Sequence, residues 1–300
     1  MLNAILPLVV AIAGAPVIQT DTSFAVANGC RLALHNFAGT VVVRPAAGNV
    51  LRIRATHSRP VRVMVQRQGS AIDVRAHDPR RPVPQPPPPV DFTITAPAWM
   101  PLDLEGFHCD MDIDGWRSDV LAQTVHGGVR LRGGQGLIRL SSIRGGVDVS
   151  GARGRMQLSS FESGVGVHDV SGEISVDAIN GDVVLDRVRS RLVEAATVNG
   201  DVRFSGWVGG AGRYRLVTHR GNVDMALPPR ANATVLVSTF SGGFQSAFPV
   251  RPGAAQPGRN FSFTLGDGQA QVDLQSFEGR IQLREDVLPP ALPPPPALDR

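Results

Sequence analysis

The chain has 300 residues and 42% hydrophobic content, so it is long enough to bury a substantial core. Its formal net charge is only +4, all 30 basic side chains are arginine, and basic residues form no run. This composition excludes a charged nucleic-acid-binding arm, and we expect no nucleic-acid partner.

The first residues predict export. Residues 1–15 form a short apolar stretch that ends in Ala13-Gly14-Ala15, which is typical of a signal peptide and its cleavage zone. This stretch is too short to remain as a membrane span, and no other stretch is apolar enough. We therefore expect an extracytoplasmic protein (periplasmic, on the cell surface or secreted) with no transmembrane span in the mature chain.

Two cysteines, Cys30 and Cys109, are present. In an oxidising compartment an even number of cysteines favours a disulfide, which would join the start of the mature chain to its middle. The alternative is two separate buried thiols that act as small hydrophobic residues.

The first hundred residues contain short runs of alternating apolar residues that predict β-strands. These runs cover residues 39–43, 50–53, 61–65, 71–74 and 92–97. A proline-rich loop at 79–90 interrupts them, and we expect it to be extended and exposed.

Three aspartates alternate directly after this region. Asp110, Asp112 and Asp114, followed by a glycine, resemble the first half of a calcium-binding loop. The twelfth position of such a loop would be Leu121, where calcium needs a bidentate glutamate. Strand alternation explains the run more simply, with Cys109 and its alternate neighbours inward, so we predict no metal site.

A phrase of a glycine followed by alternating apolar residues recurs from about residue 120. Its glycines recur at a nearly constant interval, at Gly128, Gly146, Gly164, Gly181, Gly200 and Gly221. A second set of short strands follows Gly136, Gly154 and Gly172. Alternation predicts that Val129 and Leu131 point inward while Arg130 faces water. Glycine at each corner permits backbone angles that a side chain would forbid.

This periodicity predicts an all-β fold. The steady spacing favours a β-solenoid, a parallel β-helix-like stack of short strands with about 18–21 residues per coil and two strands each. A β-sandwich or barrel is the alternative, because short strands with frequent turns occur there as well. We predict one domain at 24–288 and a proline-rich disordered tail at 289–300.

Other motifs favour structural roles. Asn180-Gly181-Asp182 and Asn199-Gly200-Asp201 lie one coil apart and should stack, either as turns or as a ladder that grips a sugar or a cation. Ser141-Ser142 and Ser159-Ser160 are interpreted as turn residues. No catalytic or cofactor-binding residue is predicted, because no motif of that kind is present.

The order of the motifs resembles bacterial β-strand-repeat domains of uncharacterised function, many of which carry the label adhesin. The similarity rests on Phe92 to Pro97 followed by Pro101 to Leu104, on the serial glycine phrase, and on Val217 to Pro228 and Val272 to Leu283. The resemblance implies an extracytoplasmic solenoid-like fold and brings no catalytic residues.

The sequence therefore leaves two classes of function open. We expect a non-enzymatic adhesin-like or envelope scaffold module, for which a glycan and an envelope protein are the candidate partners. The alternative is a polysaccharide-acting β-helix enzyme, a lyase or a glycoside hydrolase, which would need convergent carboxylates on adjacent coils. A third reading is a regulatory envelope component that acts through partners.

Overall fold

The computed structural model describes residues 17–58, 61–77, 88–250 and 260–286, and within these ranges it contains strands and no helix. The all-β prediction is therefore confirmed for the described residues. These ranges hold no helix with the length and hydrophobicity that membrane crossing requires. The predicted signal peptide at 1–15, the predicted tail at 289–300 and residues 79–87 of the predicted loop at 79–90 lie outside the described residues.

The strands follow one another along the whole described chain. The N-terminal ones are β1 (Val17–Ala25), β2 (Arg31–Ala46), β3 (Val50–Ser58), β4 (Arg62–Gln68), β5 (Ala71–His77), β6 (Val90–Pro97) and β7 (Leu102–Asp114). The central ones are β8 (Val120–His126), β9 (Val129–Arg132), β10 (Gln135–Ser142), β11 (Val147–Ser150), β12 (Arg153–Ser160), β13 (Val165–His168), β14 (Ser171–Ala178) and β15 (Val183–Asn199). The C-terminal ones are β16 (Val202–Arg220), β17 (Val223–Leu227), β18 (Ala233–Thr239), β19 (Phe244–Ser246), β20 (Phe261–Leu265), β21 (Ala270–Glu278) and β22 (Ile281–Glu285).

Hydrogen bonds join these strands into one sheet of 22 strands, in which the pairs follow two ladders. The first ladder runs β4-β5-β2-β7-β8-β10-β12-β14-β15-β16-β21-β18-β20. The second runs β1-β3-β6-β2-β7-β9-β11-β13-β15-β16-β17-β22-β19. Long strands such as β2 and β7 belong to both ladders, because their two halves pair with different neighbours.

The pairing register follows the spacing of the sequence motifs. Val129 pairs with Val147, Val147 with Val165, and Val165 with Val183. The number of residues between the two partners is therefore the same in each of these parallel pairs. The next steps lead to Val202 and then to Val223. One first-ladder segment and the second-ladder segment that follows it together form one repeat.

Alternate side chains of both ladders form the core. Val129 and Leu131 are almost fully buried, and Val147 and Val149 repeat this pattern in the next repeat. Arg130 faces solvent as predicted. The buried side chains of each repeat contact those of the repeats on either side. Burial of this apolar surface therefore stabilises each repeat through its neighbours.

Glycines occur at the corners because the backbones of successive repeats approach one another too closely for a side chain. Gly172 has φ +121°, and a Cβ built there would lie far closer than 3.0 Å to the carbonyl oxygen of Gly154. Gly154 stands in the same relation to Gly136. The three glycines pair in register in β10, β12 and β14.

Both ends of the stack depart from chain order. Near the N-terminus, β2 lies between β7 on one side and β5 and β6 on the other, although β5 and β6 follow it in sequence. Near the C-terminus, β21 and β22 return to lie between β16–β17 and β18–β19. The four antiparallel pairs of the described strands lie beyond these crossings, toward the ends.

Candidate functional site

One corner of the stack is organised by a column of buried hydroxyl groups, the hydroxyl column. Thr124, Ser142 and Ser160 pair in register at the ends of β8, β10 and β12, and each donates a hydrogen bond to a backbone carbonyl near the preceding corner. The distances from their hydroxyl oxygens to Cys109 O, Gly127 O and Gly145 O are 3.0, 2.8 and 3.0 Å. Thr197, Thr218 and Ser276 continue the pattern, whereas Thr239 donates to Gly242 O in the turn that follows it. These bonds satisfy carbonyl groups that the corner would otherwise leave unpaired.

The next position in each repeat points outward and is mostly apolar. This apolar column consists of Phe107, Val125, Ile143, Phe161, Ile179, Val198, His219, Phe277 and Phe240, in their order along the stack. Phe161 is 48% exposed, Ile179 38% and Phe240 67%. An apolar side chain is therefore presented to solvent at almost every step along one edge of the molecule.

The C-terminal part of the apolar column is a stack of aromatic rings. The rings of His219 and Phe277 have centroids 4.7 Å apart and planes inclined by 13°, and those of Phe277 and Phe240 are 4.5 Å and 3° apart. These separations match the spacing between neighbouring strands. The rings are therefore held in fixed positions by the ladder that carries them.

A polar column follows the apolar column one residue later. It consists of His108, His126, Arg144, Glu162, Asn180, Asn199, Arg220, Glu278 and Ser241. Arg144 lies 3.5 Å from Glu162, and Arg220 lies 3.5 Å from Glu278. Asn199 donates from its side-chain amide to Asn180 at 2.7 Å. One arginine–glutamate pair therefore lies on each side of the central asparagine pair along the column.

A polar hollow of about 550 Å³ lies at the C-terminal end of the second ladder. Its lining side chains come from β16, β17 and β22, from the turns before them and from the turn between β18 and β19, and Gly242, Gly243 and Gly279 contribute backbone. The polar members are Asp201, Arg203, Asn222, Asp224, Ser241, Arg280 and Gln282. The hollow is open on this side because β19 covers only the first three residues of β22.

Both carboxylates of the polar hollow are already paired. Arg203 bridges Asp201 at 2.7 Å and Asp182 at 3.0 Å. Arg284 contacts Asp224 at 2.7 Å, and this hydrogen bond raises the pKa of Arg284. Asn222 is fixed by bonds from its amide to Asp201 and from the Arg280 backbone N–H to its carbonyl oxygen.

Arg280 differs from these arginines. Its side chain is exposed, and no carboxylate of the described residues lies within 4.0 Å of its guanidinium group. The Arg280 guanidinium group is therefore available to a ligand beside the amides of Asn222 and Gln282. Such a group of donors favours an anionic ligand that also carries hydroxyl groups.

A second hollow of about 490 Å³ lies near the N-terminal end of the first ladder. It is more apolar, with Met64 and Phe107 among its lining residues. His35 Nδ1 lies 2.8 Å from Glu105 Oε2 at its edge. Arg75 also lines this hollow but is paired with Asp73 at 2.7 Å, so its charge is compensated.

The three aspartates of the calcium candidate do not surround a common point. Asp110 accepts a hydrogen bond from the Gly128 backbone, and Asp112 is bound by Arg44 and Arg132 at 3.1 and 3.0 Å. Asp114 lies 3.6 Å from Arg132. In the part of the chain that the structure describes, no group of three His, Cys, Asp or Glu side chains could hold a metal ion.

Cys30 and Cys109 are both buried free thiols in the structure. Cys109 pairs with Gly39 of β2, and residues 31–36 of that strand lie between Gly39 and Cys30. These six residues span about 20 Å in a strand. A disulfide needs Cα atoms within about 7 Å of each other. The alternative of two separate thiols fits this geometry.

The Asn-Gly-Asp turns stack as predicted, because residues 180 and 199 form a parallel bridge and the Asp201 N–H donates to Asp182 at 2.9 Å. The prediction that Ser142 and Ser160 are turn residues is wrong. Both are buried strand ends that belong to the hydroxyl column. Their recurrence at the interval of the glycine phrase was the available signal in the sequence.

The sequence interpretation also missed the apolar column and Arg280. Exposed apolar residues at successive corners follow the buried hydroxyls by one position, but a run such as Ser142-Ile143 has no motif of its own. Arg280 lies within the closing glycine phrase, and only the crossing of β22 places it beside Asn222.

No family model matches this chain, and no curated protein matches its sequence. Solved structures are similar to it at low identity. A putative adhesin from Bacteroides fragilis has 12% identity and a TM-score of 0.49, covering 90% of this chain and 98% of that chain. A putative cell adhesion protein from Clostridium sporogenes has 10% identity and a TM-score of 0.25, covering 90% and 100%. A putative lipid binding protein from Parabacteroides distasonis has 5% identity and a TM-score of 0.40, covering 88% and 96%. Similarity at this level carries no information on what this chain binds.

Proposed function

We propose that this chain is a non-enzymatic, adhesin-like binding module that acts outside the cytoplasm and recognises an acidic glycan at the polar hollow. We further propose that its repeats form a single β-solenoid domain, of the β-strand-repeat type that the sequence resembles. The parallel registers of the two ladders support the solenoid, and the apolar stretch at residues 1–15 supports export.

The uncompensated guanidinium group of Arg280 carries the proposed specificity. Acidic sugars have a carboxylate that can accept two hydrogen bonds from one arginine. Their hydroxyl groups both donate and accept, as do the side-chain amides of Asn222 and Gln282. Asp201 and Asp224 each form an ion pair with an arginine, Arg203 and Arg284, which reduces their repulsion of such a ligand.

The test is binding to an array of acidic and neutral polysaccharides by the wild-type chain and two variants. Arg280→Gln should weaken binding to acidic glycans by at least about tenfold, because a charge-assisted hydrogen bond is lost. Arg153→Gln is the matched control, since Arg153 is exposed, lies in β12 on the first ladder and is outside both hollows. Equal affinity of the Arg280 variant and the wild type would contradict the proposed site.

A polysaccharide-acting enzyme is the second candidate. Glycoside hydrolysis uses two carboxyl groups, one of which has a raised pKa. The pKa of Asp177 is raised, first by loss of solvent around its carboxyl group and then by the charge of Glu194. The Asp177 side chain nevertheless stays exposed and lies outside both hollows, where little would hold a sugar chain. Loss of reducing-end release in Asp177→Asn would favour this candidate.

A further inference from the structure

Beyond glycan recognition, we propose that two copies of this chain associate through the apolar column. The copies run antiparallel, and the two-fold axis passes between the positions of Ile179 and Val198. The interface consists of the apolar column from Val125 to Phe240 and the polar column beside it.

The exposed surface of the apolar and polar columns together is close to the size that a stable dimer needs. Phe161, Phe277 and Phe240 are 48%, 41% and 67% exposed, and with about 200 Å² per phenylalanine they offer about 300 Å² of ring surface. Ile143, Ile179 and Val198 lie in the same column and are 38–46% exposed. With the flanking polar side chains, the surface approaches the roughly 800 Å² that each partner contributes to a standard interface.

The shape of this surface fits a second copy. The eight positions from Val125 to Phe240 are spaced by the strand separation of about 4.8 Å and extend about 34 Å along the stack. A partner with the same spacing can place one side chain opposite each of these positions over the whole length. A second copy of the column has the same spacing because it is the same chain.

The polar column shows which orientation is complementary. From Arg144 to Glu278 it contains, in order along the stack, Arg144, Glu162, Asn180, Asn199, Arg220 and Glu278. When this series is reversed against itself, every arginine meets a glutamate and every asparagine meets an asparagine. Complementary charges of this kind fix the register of an interface.

The antiparallel register has specific consequences for individual contacts. Arg144 of one copy faces Glu278 of the other, and Glu162 faces Arg220. In the apolar column the same register sets Ile179 against Val198 on either side of the axis. A parallel dimer would instead place the two polar columns on opposite sides of the apolar contact, with no charge complementarity. An isologous antiparallel contact also closes, which limits assembly to a dimer.

The first test is the molar mass of the full chain measured by sedimentation equilibrium over a range of concentrations. The wild type should be a dimer, and Ile179→Asp should weaken dimerisation by about a hundredfold or more, because each dimer then buries two carboxylates beside the axis. Leu192→Asp is the matched control, since Leu192 is 42% exposed on the first ladder but outside the apolar column. It should leave the dimer unchanged.

The second test is a double-mutant cycle between Arg144 and Glu278. Within one chain these residues lie five ladder steps apart, about 24 Å, so they cannot contact each other. Arg144→Glu and Glu278→Arg should each weaken the dimer by about tenfold, and the double variant should recover most of this loss. Recovery can arise only through the partner, so it also reports the antiparallel register.

Several results would overturn the proposal. A wild-type chain that remains monomeric at about 100 μM, or a dimer that Ile179→Asp leaves intact, excludes the apolar column as the interface. A monomer that floats with phosphatidylglycerol vesicles, and loses this property in Ile179→Asp, would assign the column to a lipid surface instead. A double variant no better than the single variants excludes the antiparallel register. Glycan binding at Arg280 is measured separately, so neither proposal depends on the other.

Discussion

At the residue scale, the spacing of the corner glycines predicts where glycine is needed but not the full reason for it. The sequence predicts glycine corners from spacing, and Gly136, Gly154 and Gly172 do lie at the starts of strands β10, β12 and β14. Conformational freedom is only part of the reason for glycine there. The larger reason is the carbonyl oxygen of the preceding repeat, which occupies the position of a Cβ. A close approach between segments of successive repeats becomes visible only when the register is known.

Gly172→Ala should therefore destabilise the protein more than a glycine substitution in open space. We expect a loss of about 3 kcal/mol or more, because the backbone must move away from Gly154 and φ is positive. Gly48 also has a positive φ, +82°, but nothing lies within 4 Å of its Cβ position. Gly48→Ala should cost only about 1–2 kcal/mol. Urea unfolding of both variants measures the difference, and equal losses would contradict the close approach.

The thiols of Cys30 and Cys109 provide a second test at this scale. Protein purified without reductant should show two reactive thiols per chain when unfolded in guanidinium and almost none when folded, because both side chains are buried. Detection of no thiol in the unfolded chain would restore the disulfide prediction.

Burial of Cys109 also predicts a dependence of stability on pH. Burial raises its pKa to about 11, so the folded state keeps the proton that the unfolded state releases at a pKa of about 8.5. This contribution is fully present below the unfolded pKa and is lost as pH rises toward 11. The urea midpoint of wild type should fall over this range by more than that of Cys109→Ala. Parallel curves for the two proteins would argue against a buried thiol at this position.

At the element scale, the glycine spacing predicts the pairing register of the central strands well and the strand order at both ends poorly. The parallel steps from Val129 to Val183 are equal in length, which the glycine spacing already indicates. The pair Val223–Ile281 instead joins segments far apart in the chain, because the four strands from β18 to β21 intervene. Periodicity reports the length of a repeat but carries no information about which repeat lies beside which. The crossings at both ends therefore had no signal in the sequence.

The C-terminal crossing predicts an order of hydrogen exchange that differs from chain order. β21 is paired on both sides, with β16 and β18, whereas β20 pairs with β18 alone among the described strands. Amides of residues 270–278 should exchange more slowly than those of residues 261–265, after correction for intrinsic rates. Mass spectrometry of peptides from the two strands measures this. Faster exchange in β21 would contradict its position between two neighbours.

At the scale of the whole molecule, the two candidate surfaces meet at one end. Ser241 closes the polar column and also lines the polar hollow, so the hollow adjoins the end of the apolar column. In the proposed dimer the two Arg280 side chains lie about 24 Å apart along the stack, because Glu278 of each copy faces Arg144 of the other. A polysaccharide that reaches both would bind more tightly than to one hollow, since the second contact is intramolecular.

Composition and motifs alone predict the all-β fold but not the surfaces of the molecule. Asp110, Asp112 and Asp114 form a motif in the sequence. In the structure they contact arginine side chains or a backbone N–H group instead of a common ligand. Arg280 belongs to no functional motif. Its distinguishing feature is that it has no carboxylate partner among the described residues. Whether a charge is compensated depends on neighbours from distant parts of the chain, and the sequence does not specify these.

The most direct test of the central claim measures binding and cleavage of acidic polysaccharides in the same wells. The wild-type chain should retain an acidic glycan without producing new reducing ends or unsaturated sugar products, and Arg280→Gln should release it. Binding by both proteins would place the site elsewhere on the stack. Cleavage products that depend on the wild-type chain would contradict a non-enzymatic role and turn attention to Asp177 and Glu194.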